Sequence, residues 1–335
     1  MSRSPNMLRW DGKPGHYEVY YLSATDPTSG VGLWIRYTML AALDGAEATC
    51  ALWLMVMDPH DQDGGTFARK QTYPISQMTA NDEPFTLQIA DNTLNENGMR
   101  GSLPDASFDL HWRPRLGAYE HVHPLLRHTG IAKTLLCLTH PDLEISGSVL
   151  YGGRELRLVG ARGGQAHLWG SKHASRWAWL HCNDLRDRDG NTVSDSFIDA
   201  VSVYVPRLGR DVGPSTPVLA RLEGRDFTSI SPTRVLTNHS RFGLSRWELQ
   251  ASDRRVRLQA QIDAPRQRLV GVTYQDPDGQ PAYCYNTEVA TLRIGVWERS
   301  TAGGWSLRRE LFSPGLAHFE YAQRDPVTSM KLALD

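Results

Sequence analysis

The stretch that decides the fold runs over residues 16–57. It holds three apolar and aromatic runs, HYEVYYLS (16–23), VGLWIRYTML (31–40) and ATCALWLMVM (48–57). In the first, Tyr17, Val19 and Tyr21 fall on one side of an extended chain, with Tyr20 and Leu22 on the other. A strand buried on both faces is therefore expected. Asp26-Pro27-Thr28-Ser29-Gly30 separates the first two runs and Asp58-Pro59 stops the third, which is turn chemistry. Long neighbouring strands joined by short polar turns make an antiparallel meander.

Outward from this meander the alternation continues in shorter pieces at 67–73, 85–90 and 107–113 (SFDLHWR). It lapses over 114–142, where Pro114, Gly117, Pro124 and Gly130 sit among histidines; a loop crossing the barrel or covering its mouth is expected. Strands resume at 143–150 and 155–159 around the Tyr151-Gly152-Gly153 turn, a hairpin. The polar run DLRDRDGN (184–191) marks the expected division, with 1–186 as the first unit and 187–335 as the second. Beyond it, strands are predicted at 197–204, 217–222, 245–251, 256–262, 269–274, 282–286 and 289–299, and one short helix at 319–324. No segment carries a sustained apolar stripe of helical period. The strings WLHCN (179–183) and AYCYN (282–286) echo each other weakly. Many short antiparallel strands over this length imply an all-β protein of sandwiches or closed barrels, and barrels of this size enclose one small ligand.

Composition agrees. A chain of 335 residues is more than one core usually organises. Lys plus Arg number 36 against 37 Asp plus Glu, so there is no broad electrostatic reason to seek nucleic acid or an anionic membrane. The opening MSRSPNMLRWDGKPG lacks the apolar core of a signal peptide, and the apolar run 50–57 is far short of a bilayer span. A cytoplasmic protein without integral membrane association is the expectation. Cys50, Cys137, Cys182 and Cys284 are widely spaced and read as free thiols.

Motifs for cofactors are missing. The sequence has no phosphate loop, no dinucleotide fingerprint, no G-x-S-x-G and no HExxH, so no cofactor is expected. His121-Val122-His123, with His128 and His140 downstream, has the spacing to hold a metal, yet nothing fixes further ligands; these histidines read as decoration of the covering loop. The segment HLWGSKHASRWAWLHCN (167–183) is richer. Trp169, Trp177 and Trp179 with His167, Lys172, His173, Arg176 and His181 mix broad aromatic faces with proton-transfer groups, as in an apolar pocket with a few convergent polar groups. The competing reading is plain: tryptophans on strands mostly fill cores, and one buried histidine is usually just hydrogen-bonded.

His167-x-Trp169-Gly170, Arg176-Trp177-x-Trp179 and Cys182-Asn183 resemble the tocopherol cyclase family. The first of these strings also resembles carotenoid 1,2-hydratases and AttH-like proteins, and GLWIRY (32–37) and Tyr285-Asn286-Thr287-Glu288 are similar to segments of the AttH-like proteins. The resemblance implies two lipocalin-like antiparallel barrels packed together, with little helix and a pocket for a hydrophobic ligand. It also implies a cofactor-independent lyase or isomerase: an acid protonates an alkene, a cation forms, and an oxygen of the substrate or of water attacks it. Terpenoid, carotenoid or polyketide-like molecules fit that chemistry. Such a site needs a desolvated acid and aromatic faces. His167, Glu18 and Asp109 are the candidates for proton transfer. Trp34, Arg36, Trp169, Arg176, Trp177, Trp179, His181 and Tyr285 are the candidates for binding, with Arg36 pairing an acid or orienting a polar group of the ligand. A pericyclic reaction, a carrier that only binds, and barrels filled by their own side chains all stay open.

Overall fold

The computed structural model describes residues 4–61, 65–127, 129–207, 209–301 and 303–334. Its first sheet contains β1 (His16–Thr25), β2 (Gly32–Ala41), β3 (Thr49–Met57), β4 (Thr66–Pro74), β5 (Met78–Asp82), β6 (Phe85–Ile89), β7 (Asn92–Asn95), β8 (Gly98–Leu103), β9 (Ala106–Trp112), β10 (Tyr119–Glu120), β11 (Thr134–Tyr151) and β12 (Arg154–Gly170). The second contains β13 (Arg176–Cys182), β14 (Phe197–Arg207), β15 (Arg210–Ser215), β16 (Val218–Leu222), β17 (Arg225–Ser229), β18 (His239–Gly243), β19 (Arg246–Ser252), β20 (Val256–Asp263), β21 (Val270–Gln275), β22 (Pro281–Arg299), β23 (Trp305–Gln323) and β24 (Leu332–Leu334). Helix is confined to α1 (Pro124–Arg127), α2 (Pro232–Thr237) and two short 3₁₀ turns among the described residues. None is long and apolar enough to cross a membrane.

Both sheets are wound the same way. In the first, β1 pairs antiparallel with β2 on one side and with β12, the last strand, on the other; the free edges are β4 and β5, which follow one another in sequence. The sheet thus curls into a nearly closed barrel around one apolar core. In the second, β13 pairs antiparallel with β14 and with β23, and the edges are β17 and β18. Its core draws Ala178, Ile198, Phe227, Trp247, Leu258 and Phe319 from strands right across the sheet, so this sheet wraps a core of its own. In each unit a long bulged hairpin recurs, β11 with β12 in the first and β22 with β23 in the second. The repeat is one of topology. The strings WLHCN and AYCYN do not mark it, because the first lies on β13, an opening strand, and the second on β22, a strand of the long hairpin.

Several expectations shift. The change of sheet falls between Gly170 and Arg176, ahead of 186/187; the polar run 184–191 lies in the β13–β14 connection instead. Residues 319–324 are not a helix: 319–323 continue β23, where both faces are buried and the polar alternation that marks a strand is lost. The pieces 282–286 and 289–299 are one strand, β22. The segment after Pro114 leans on the second barrel, where Tyr119 donates to Asp226 at 2.8 Å. His128 lies outside the described residues.

The two barrels meet along their seams. Because β1 and β2 are buried on both sides, Tyr20, Leu22, Leu33 and Ile35 face the first core, while Tyr17, Tyr21, Trp34 and Arg36 face outward. That outer face packs on Trp177, Trp179, Val270, Val272, Tyr274 and Ala322 of the second unit. Burial also pushes the cysteine thiols up, Cys50 to about 11, Cys137 and Cys182 to about 12, and Cys284 well above its usual value.

Candidate functional site

The residues singled out from sequence fall into separate places. Glu18, His167 and Trp169 point into the mouth of the first barrel. There the N-terminal segment closes over them: Asn6 exchanges two hydrogen bonds with Gln165, and Arg9 lies over the Trp169 ring. Glu18 is fully buried and accepts from Arg9 N at 2.9 Å, Trp10 N at 3.0 Å, Tyr20 Oη at 2.8 Å, His16 Nε2 at 3.1 Å and His167 Nε2 at 2.7 Å. Burial opposes its charge, but the hydrogen bonds from His16 and His167 outweigh it and hold the carboxyl down at about 2. The other ring nitrogen of His167 faces the Pro5 carbonyl at 3.1 Å. Both nitrogens face acceptors, and Nε2 pairs with the Glu18 carboxylate. Glu18 has no proton to give; it fastens the N-terminal segment. Asp109 stands on the solvent side of β9, away from any enclosed surface. Arg176 and Tyr285 face the second barrel's interior: Arg176 lies over Tyr204 at 4.3 Å, and Tyr285 Oη accepts from Val327 N.

Trp34, Arg36, Trp177, Trp179 and His181 do converge, between the barrels. Glycines make room for this. A methyl at Gly164 on β12 would sit 2.6 Å from His181 Nε2, and one at Gly32 on β2 would sit 2.5 Å from Glu288 Cβ. Only a bare backbone lets these two side chains of the second barrel reach the first. Asp199 then binds two imidazoles, His181 Nδ1 at 3.0 Å and His121 Nε2 at 2.7 Å. Burial works against the Asp199 charge, but the two rings prevail and its carboxyl is lowered.

Glu288 is the reverse case. It is almost wholly buried, and desolvation raises its carboxyl well above the usual range, with the Glu320 charge acting the same way. Burial thus favours its neutral form. His318 lies beside it with Nδ1 3.8 Å from Glu288 Oε2, and burial lowers its pKa well below the usual value. The tautomer follows from Thr25. Its hydroxyl donates to the Glu288 carbonyl oxygen at 2.6 Å, so it accepts from His318 Nε2 at 3.2 Å, leaving His318 Nδ1 with a lone pair. Trp179 Nε1, His181 Nε2, Asn286 Nδ2 and His318 Nδ1 are buried here with no hydrogen-bond partner among the described residues, and the Ser23 hydroxyl lies by the Glu288 carboxyl and works against the rise in its pKa. Each such group costs roughly 1–3 kcal/mol when left unpaired. Their gathering at one interface makes it the candidate site.

Sequence reasoning missed Glu288, His318 and Asp199. Glu288 stood in the quoted Tyr285-Asn286-Thr287-Glu288 string, but alternation does not tell which face of a doubly buried strand meets a partner domain. His121 was visible only as half of a His-x-His pair. It serves Asp199, while its neighbour His123 accepts from Leu125 N. No group of metal-holding residues forms among the described residues.

No family model matches the chain. The uncharacterized protein Rv0493c of Mycobacterium tuberculosis is 28% identical over 300 residues, covering 89% of this chain and 86% of that protein. Among solved structures, an AttH-like protein from Nitrosomonas europaea has a TM-score of 0.57 at 11% identity, covering 96% of this chain and 98% of the other. CghA with Sch210972 gives 0.57 at 9% identity, over 92% and 88%. Kievitone hydratase from Nectria haematococca gives 0.52 at 11% identity, over 96% and 90%. At these identities the likeness is one of fold. It shows the barrel fold that the short motifs implied.

Proposed function

We propose that this protein is a cofactor-independent hydratase, cyclase or isomerase for a hydrophobic, unsaturated small molecule held between the barrels. The observation that carries the reading is the buried Glu288, whose Oε2 lies 3.8 Å from His318 Nδ1 where desolvation favours the neutral acid. A carboxylic acid kept protonated by desolvation is a far stronger donor towards a double bond than an imidazole at rest. That one neighbour in fold is a hydratase by name, and another holds a small molecule, supports the same class of chemistry.

The steps balance within these residues. Glu288 gives its proton to one alkene carbon, the π pair forms the new C–H bond, and a cation is left on the other carbon beside the Glu288 carboxylate. Tyr21, Trp34 and Trp179 offer aromatic faces to that cation. Water or the substrate's own hydroxyl adds to it, and the released proton passes to His318 Nδ1 and back to Glu288. Loss of a proton from a neighbouring carbon to the same base would give isomerisation instead.

The test is to incubate the purified protein with a lipid and small-molecule extract of the cells that produce it, and to follow the extract by chromatography and mass spectrometry. A gain of one water means hydration; an equal mass at a new retention time means cyclisation or isomerisation. Either conversion should fall by at least a hundredfold in Glu288→Gln. A molecule retained unchanged by both proteins would make this a carrier and overturn the reading.

A further inference from the structure

We infer that Arg36 is the seat of an anionic head group, so that the ligand between the barrels is an amphiphilic acid: a carboxylate joined to an unsaturated, apolar body. This rests on the reading of the interface as a ligand site, and it adds what kind of molecule the site selects.

Arg36 is only 5% exposed, on the face of β2 that meets the second barrel. Its guanidinium lies 4.3 Å from the centre of the Tyr274 ring, 4.8 Å from Trp34 and 5.9 Å from Tyr21. Among the described residues it makes no hydrogen bond and no ion pair, and its buried Nε has no partner. The acid among these rings is already engaged, since Glu320 accepts from Trp177 Nε1 and from Tyr274 Oη at 3.2 Å. Ring faces offset part of the desolvation of a cation, but they satisfy none of its five N–H donors. A buried arginine is ordinarily paired. Its planar fork fits a carboxylate with two parallel hydrogen bonds.

The strand also sets a distance. Gly32, Trp34 and Arg36 occupy alternate positions on one face of β2, and Glu288 packs against Gly32. Two such steps span about 13 Å of strand. A ligand with its head at Arg36 would lie along Trp34 and present a double bond to Glu288 about that far from the head.

The probes are cis-parinaric acid, a conjugated tetraene acid that fluoresces in apolar sites, and its methyl ester, titrated into the full chain. The acid is expected to bind at least tenfold tighter than the ester. In Arg36→Met the two should bind alike, with Arg36→Lys between. Because a buried, unpaired cation costs stability, Arg36→Met should also raise the melting temperature without ligand; a purely structural arginine would lower it. Equal binding of acid and ester, discrimination that survives in Arg36→Met, or no binding of either probe would each overturn the inference. The two readings fail separately. If Glu288→Gln still turns over its substrate while the wild type prefers the acid, the reaction falls and the head-group site stands; the opposite pattern does the reverse.

Discussion

Glu18 and Glu288 are the same side chain, both buried, and their surroundings drive them apart. Five donors converge on Glu18 and keep it charged; at Glu288 desolvation outweighs the Ser23 hydroxyl and favours the neutral form. Linkage gives the two opposite pH signatures. The folded pKa of Glu18 is lowered, so its stabilisation is present above the unfolded carboxylate value and fades as pH falls towards about 2. Glu18→Gln should cost on the order of 3 kcal/mol at neutral pH, and the cost should shrink in acid. The folded pKa of Glu288 is raised, so above the unfolded value the wild type loses stability as pH climbs. Glu288→Gln should therefore melt higher than wild type at pH 8, with little difference near pH 4. Melting curves of both variants across that range check the signs together. Composition and spacing offered no means of telling which glutamate would be the anion and which the acid. That is decided by the donors the chain brings from elsewhere.

At the scale of the element, legibility follows contact distance along the chain. The meander β1–β3 was readable because alternation and turn chemistry are local properties of 16–57. The Trp177, Trp179, His181 face was readable for the same reason. The cluster of His121, Asp199, Glu288 and His318 was not, because it assembles from a loop and from β14, β22 and β23, whose register across the interface no local pattern records. Glycine is the trace such an approach leaves in sequence. At Gly164 and Gly32 no neighbouring residue signals this approach; the second barrel's side chains packed against them account for it. Gly164→Ala should keep the sheet but drive the His181 ring from Asp199. The expected result is a fall in melting temperature corresponding to about 1–3 kcal/mol and a loss of turnover well beyond what that instability explains. Turnover equal to wild type would show that the His181 position is not needed.

For the whole molecule, the outer face of β2 and β3 packs on β13, β21 and β22 to form a wall between the two cores, and three of the four thiols sample these parts. Cys50 lies in the first core, Cys182 in the second and Cys284 in the wall between them. Burial makes all three poor nucleophiles in the native state, so an alkylating reagent reaches each only when its surroundings open. Timed labelling followed by peptide mapping therefore reads the order of opening. If Cys284 is modified long before Cys50 and Cys182, the barrels part along the wall while their interiors stay shut, which would give the proposed ligand a way in. If all three react at one rate, only global unfolding exposes the wall, and a ligand must slip in along its rim.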